Sequence, residues 1–278
     1  MIGETAGDTT GASPADGNGA PKTVLTDLVD GVAIITLNRP ERHNALDDES
    51  SALAQDAVRW AVDDMDARAI LLQGAGKSFS SGRDTAQLGR RTPGDSDYQF
   101  ILRSQKTRIL LMEATKPVIG ALKGAVLGGA CEMALSCDYR VAADNIKMGF
   151  PEVGFGIMTD TGGAPLATIL AGPSRAKYML MTGERIGAEQ ALAWGLVDEV
   201  VTPDELDERA FAVAARLAAG PPLSNAMIKQ VVDGMWAGQV RAGLGAELLA
   251  QATLFKSADH VEAKLAASEK RPPRYTGT

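Results

Sequence analysis

Histidine and cysteine are nearly missing: two of each in 278 residues. Cys131 and Cys137 are too few for a disulfide scaffold and lack metal-site spacing, so they read as core residues of a reducing compartment. His43 and His260 lie near no Ser or Cys in a nucleophile-elbow pattern. No G-x-S-x-G occurs, which argues against a Ser-His-Asp hydrolase. A dinucleotide-binding G-x-G-x-x-G is also missing, since "GFGIMT" from Gly154 supplies only its first two glycines. No apolar run approaches the roughly 18–20 residues of a membrane span. Basic residues are outnumbered, 28 Lys and Arg against 35 Asp and Glu, for a formal charge of −7. That leaves no basic face for nucleic acid or an anionic membrane. The first twenty residues hold no Lys, no Arg and no apolar core, so they are neither a secretory signal nor a transit peptide. Residues 1–21 read as a flexible tail, and the expected location is cytoplasmic.

What is abundant is glycine, 30 residues, within a chain that is 45% hydrophobic and therefore able to bury a sizeable core. One glycine-rich stretch, "LLQGAGKSFSSGRD", ends like a phosphate-cradling P-loop. A P-loop needs a further glycine five positions before Gly76, and Leu71 stands there in an apolar run. The P-loop reading fails, and the polar turn "SSGRD" behind it needs another purpose.

Along the chain, "TVLTDLVDGVAIITLN" has the pattern of a hairpin turning at Asp30-Gly31. An irregular loop, "NRPERHNAL", follows. Asp47 to Val62 reads as a helix with Leu53, Ala57, Trp60 and Ala61 on one face, and Ala69 to Leu72 as a short buried strand. "YQFILRSQKTRILLMEA" is a second helix and "KPVIGALKG" a strand. "AVLGGACEMALSCD" is a glycine-rich turn opening a helix, and "YRVAAD" and "IKMGF" are two more strands. From Ser174 the pattern becomes helix after helix: "SRAKYMLMTGE", "AEQALAWGLV", "PDELDERAFAVAARLAAG", "PLSNAMIKQVVDGM" and "AELLAQATLFKS". The class is α/β, with a core over 22–200 and a helical region over 201–278 that covers the core or mediates assembly.

Chemistry is left to glycine turns paired with carboxylates. Gly128 and Gly129 precede a helix start, where backbone N–H groups lack intrahelical acceptors and can hold an anionic oxygen. Glu132 comes three residues after Gly129 and shares its side of the helix. "FPEVGFGIMTDTGG" adds Glu152 and Asp160. Taken singly, Glu132 and Asp160 read more readily as ordinary first-turn or capping acids than as catalytic ones.

Together, six stretches in order resemble the crotonase (enoyl-CoA hydratase/isomerase) superfamily: "LNRPERHNAL", "GAGKSFSSGRD", "KPVIGALKGAVLGGACEMALSCDYRVAAD", "FPEVGFGIMTDTGG", "AEQALAWGLVDEVV" and "EKRPPRY". The resemblance runs from about Val24 to Tyr275 and implies the crotonase (ClpP-like) fold, a spiral of ββα units followed by C-terminal helices. It implies an oxyanion hole from the backbone N–H groups of Arg83 and Gly129, holding the thioester oxygen of an acyl-CoA as it becomes enolate-like. Arg42, Ala45, Arg83, Asp84, Thr85, Ala86, Leu88 and Gly128 fall where the family contacts substrate and CoA. A small residue usually stands where Arg83 is, so its side chain is expected to cover the pocket or meet a CoA phosphate. Glu132 and Glu152 match the two glutamates that orient water in hydratases. Asp160 matches an aspartate of dienoyl-CoA isomerases and carnitinyl-CoA-type hydratases. The implied reaction is reversible hydration of a 2-enoyl-CoA, with no metal and no cofactor beyond the CoA carried by the substrate. The alternatives are enoyl- or dienoyl-CoA isomerisation and a non-catalytic acyl-CoA-binding paralogue. A homotrimer or dimer of trimers is the implied assembly.

Overall fold

A computed structural model describes residues 22–87 and 94–278; the tail 1–21 and Leu88 lie outside the described residues. The hairpin forms as expected, β1 (Val24–Val29) pairing antiparallel with β2 (Val32–Leu37). Asp30 and Gly31 between them both take positive φ, 50° and 76°, the pair a two-residue turn of matching twist requires. From β2 onward the sheet is parallel, running through β3 (Ala69–Gly74), β4 (Val118–Leu122), β6 (Tyr139–Ala143) and β8 (Glu199–Val201). A second, two-stranded parallel sheet joins β5 (Ala125–Leu127) to β7 (Lys147–Gly149). Every residue of β4 is buried, as a parallel strand covered on both faces must be.

Helix α1 (Asp48–Asp63) starts at a capping box between Asp47 and Ser50. Its buried face is Ala54, Ala57, Val58 and Ala61, while Leu53 is 38% exposed, so the stripe is rotated from the expected one. Small residues let α1 lie close to β1 and β2, and the bulkier Leu53 is turned outward. Helix α2 (Asp97–Glu113) is also closed by a capping box, and α3 (Gly129–Leu135) follows the glycine turn. Beyond it come α4 (Gly163–Ala171), α5 (Pro173–Thr182), α6 (Ala188–Ala193), α7 (Leu206–Ala218), α8 (Pro222–Gly234), α9 (Ala237–Leu254) and α10 (Ala258–Glu269). The strands β5 and β8 and the helix α10 are additions to what the sequence pattern suggests. Helix α7 packs on β3, β4 and β6, closing one face of the sheet with Leu206, Ala210, Ala214 and Ala218. Cys131 and Cys137 are buried core residues, as expected, and burial pushes the Cys137 thiol up to about 12.

The "NRPERHNAL" loop is held by one side chain. Asn44 is 1% exposed, and its amide nitrogen donates to the carbonyls of Ala75, Ser78 and Phe79 at 2.9, 2.7 and 3.1 Å. Its Oδ1 accepts from Arg39 N, and its backbone sits at φ 54°, a region asparagine tolerates better than most residues. Replacing Asn44 with alanine therefore strands buried carbonyls and strains the backbone. The expected loss is about 3 kcal/mol, or roughly 6–12 °C in Tm for a chain of this size. A thermal melt of Asn44→Ala within 2 °C of wild type (about the shift of a neutral surface change) would show that the loop is held by something else.

Candidate active site

Two loops meet at the C-terminal ends of the strands. Ser80 pairs with Val126 and Arg83 with Leu46, each through an isolated parallel bridge. This lays the turn after β3 against the turn after β5. The fit is close at Gly82, where a Cβ would stand 2.4 Å from Leu127 O and 3.5 Å from Gly129 N, with φ at 84°. Only glycine allows that approach. It brings the backbone N–H groups of Arg83 and Gly129 to the same cavity wall, and among the described residues neither donates a hydrogen bond. The Arg83 side chain ion-pairs with Asp48 at 2.6 Å and lies over the Phe100 ring at 5.3 Å. It forms part of the cavity wall, one of its two expected positions.

The cavity has a volume of about 410 Å³ and takes in Arg83, Gly128, Gly129, Glu132, Glu152 and Asp160. Thr85 also lines it, whereas Arg42, Ala45, Asp84 and Ala86 do not. Arg42 and Ala86 are exposed, Ala45 is buried with its carbonyl accepting from Arg39, and Asp84 turns toward Ala86 N and Arg39.

The two glutamates stand on successive glycines. A Cβ on Gly128 would meet Glu152 Oε1 at 2.6 Å, and one on Gly129 would come 3.7 Å from Glu132 Oε2. Glu152 sits in a single 3-10 turn, Pro151–Phe155, and its Oε2 is buried without a hydrogen-bond partner. Burial, with the nearby Glu132 charge second, raises its pKa well above the usual carboxylate range. Glu132 is held differently. Its Oε1 accepts from Thr161 N at 2.8 Å and Gly163 N at 3.0 Å, and its Oε2 accepts from Thr161 Oγ1 at 2.7 Å.

Those donors belong to the start of α4, and they revise the capping assignment. Gly162, the residue before α4, offers no side chain to cap it. Glu132 and Glu247, the latter from α9, do so from outside the helix. Glu247 accepts from Thr159 Oγ1 at 2.8 Å, Gly162 N at 2.7 Å and Ala164 N at 2.8 Å. Burial and the Glu132 charge raise the Glu247 carboxyl to about 8. Gln105 of α2 secures the same segment, donating to Asp160 O and Leu244 O.

The sequence reading missed Glu247, Gln105 and Arg108. Arg108 is 7% exposed, lines the cavity, and donates through Nη2 to Gly129 O.

The enoyl-CoA hydratase/isomerase family model matches residues 27–278, nearly all of the described chain. The chain belongs to that family. A short-chain-enoyl-CoA hydratase of Clostridium acetobutylicum is 35% identical over 242 residues, covering 86% of this chain and 92% of that protein. A crotonyl-CoA hydratase of Syntrophomonas wolfei is 33% identical, covering 92% of this chain and 98% of that protein. Among solved structures, an enoyl-CoA hydratase from Mycobacterium avium subsp. paratuberculosis K-10 superposes with a TM-score of 0.82 at 30% identity, covering 92% of this chain and 99% of the other. The crotonase fold is thus shared, including the C-terminal helices. In this family member the cavity holds Glu132 from the helix after the glycine turn, Glu152 from its own 3-10 turn, the buried Arg108 and a third acid, Asp160.

Proposed function

We propose that the protein is an enoyl-CoA hydratase that adds water reversibly across the double bond of a 2-enoyl-CoA. The observation that carries this reading is the convergence, in one cavity, of two unbonded backbone N–H groups with two glutamates of unlike environment. The N–H groups of Arg83 and Gly129 receive the thioester oxygen and stabilise it as charge accumulates there, each donor contributing about 3–4 kcal/mol to the transition state. Glu132 Oε2 carries a single hydrogen bond and retains a lone pair for a water molecule. That water loses a proton to Glu132 as its oxygen bonds to C3. Glu152, whose protonated form burial favours, delivers its proton to C2 as the enolate collapses back to the thioester. The two carboxyls end with their protons exchanged, and transfer between them restores the starting state. CoA is a carrier within the substrate, and the residues need no other cofactor or metal for these steps.

One observation favours a second reading, isomerisation of an enoyl- or dienoyl-CoA. Asp160 lines the cavity close enough for its charge to act on Glu152, which places a third carboxylate within the same site for proton transfer. A panel of enoyl- and dienoyl-CoA esters followed by mass spectrometry separates the two, because hydration adds the mass of water and isomerisation adds nothing. The expected result is water addition, with Asp160→Asn keeping the fold and slowing turnover by about tenfold or more. Isomerised product without added mass would replace the hydratase reading with the other.

Among the described residues no helix is long and apolar enough to cross a membrane. The acidic composition supports a cytoplasmic location. Assembly into trimers, alone or paired, is supported by α8, whose Leu223, Met227, Ile228, Val231 and Val232, with Met235 just after it, are all at least half exposed on the isolated chain.

A further inference from the structure

Two arginines are buried among the described residues, and of these only one has a counter-ion there. Arg140, 3% exposed, ion-pairs with Asp198 at 2.9 Å. Arg108, 7% exposed, makes no ion pair among the described residues; its one bond is from Nη2 to the neutral carbonyl of Gly129. Its Nε is buried and unbonded, as Arg140's is, and its Nη1 also carries no hydrogen bond among the described residues. Glu132 and Asp160 are the acids whose charges it feels, and neither reaches it. Glu132 is instead committed to the start of α4.

A buried guanidinium without a directly bonded carboxylate is costly, because its desolvation is offset only by one carbonyl dipole and by the more distant charges of Glu132 and Asp160. Such a cost is sensible where the missing partner arrives with a ligand. The guanidinium stands on the cavity wall beside the glycine whose N–H is to hold the thioester oxygen. Whatever it meets is therefore part of the acyl group, within a few atoms of the thioester carbon, and remote from the CoA phosphates. A planar guanidinium with free donors matches a carboxylate better than any other acyl substituent.

We propose that Arg108 selects acyl-CoA substrates whose acyl group carries a second carboxylate, and that the substrates of this enzyme are monothioesters of unsaturated dicarboxylic acids. The proposal rests on the cavity being the acyl site of a CoA thioester. Asp160 and Glu132 repel such an anion, so Arg108 is what makes its entry favourable.

The test uses saturated esters that cannot react. Dissociation constants of the full-length protein for butyryl-CoA are compared with those for succinyl-CoA and glutaryl-CoA by calorimetry. Wild type should bind the better of the two carboxylate esters at least about tenfold more tightly than butyryl-CoA. Arg108→Met should reduce that ratio by about 10- to 100-fold, the range for one charge-assisted contact. Arg108→Lys should retain part of it. Equal affinities in wild type overturn the proposal without any variant, as does an unchanged ratio in a folded Arg108→Met or Arg108→Lys. Hydration of crotonyl-CoA and of glutaconyl-CoA, its carboxylate-bearing counterpart, measured beside these, reports on the hydratase reading independently. A carboxylate preference in a protein that adds no water would uphold the role of Arg108 and remove the hydratase assignment.

Discussion

Glu152→Gln should lower turnover by about 100- to 10,000-fold, the usual contribution of a positioned acid, and at the same time make the protein more stable at alkaline pH. Both effects come from the same burial. The native state keeps the Glu152 proton to a higher pH than the unfolded chain does. Above the unfolded carboxylate range the native state therefore binds more protons than the unfolded state, and stability falls as pH rises through that window. Glutamine has no proton to lose, and its amide occupies the same space beside Gly128. Thermal melts of the two proteins should be close near pH 5 and diverge in favour of the variant towards pH 9. In wild type the rate of hydration should decline on the alkaline side as Glu152 ionises. A variant that turns over normally, or whose stability advantage does not grow with pH, would remove Glu152 from the role of buried acid.

Glu132 should respond in the opposite way. Glu132→Gln should also cost about 100- to 10,000-fold in kcat, yet lose only about 1 kcal/mol of stability. Its Oε1 can still accept from Thr161 N and Gly163 N, and its new Nε2 can donate to Thr161 Oγ1 if that hydroxyl turns round. Glu132→Ala has no such remedy. It strands three buried donors at the start of α4 and should cost about 3 kcal/mol more than the glutamine variant. Urea unfolding of the pair, with kcat measured on each, checks the separation. If alanine and glutamine prove equally stable, the carboxylate is not what holds α4, and its role is confined to the reaction.

Where a candidate site residue is fixed by its own neighbours in sequence, it is visible from the sequence alone. Gly128, Gly129 and Glu132 lie on one turn, and Glu152 beside the start of a short 3-10 turn, so spacing and the family resemblance together pick them out. Arg108 and Glu247 are ordinary charged residues within regular helices, and their meaning comes from contacts 21 and 83–88 residues away along the chain. Nothing local distinguishes Arg108 from Arg103, which is half exposed and ion-paired with Asp95. Asp160 shows the limit from the other side. It precedes a helix at the right distance for a cap, but the cap is supplied by two carboxylates from elsewhere. The short strands β5 and β8, three residues each, carry too little pattern to be told from turns. Helix α10, rich in alanine and charge, presents no continuous apolar stripe to read.

The double clasp on α4 also dictates when the site can exist during synthesis. Thr161 and Gly163 can find Glu132 as soon as about thirty residues have followed it, but Gly162 and Ala164 wait for Glu247, 85 and 83 residues further on. A chain still being translated therefore carries both glutamates, the glycine turn and the sheet before it carries a finished catalytic floor. Closing such a long loop is slow compared with forming a helix. The start of α4 lacks one of its two carboxylate partners until α9 has emerged and docked, so the clasp is completed in one late step rather than by degrees.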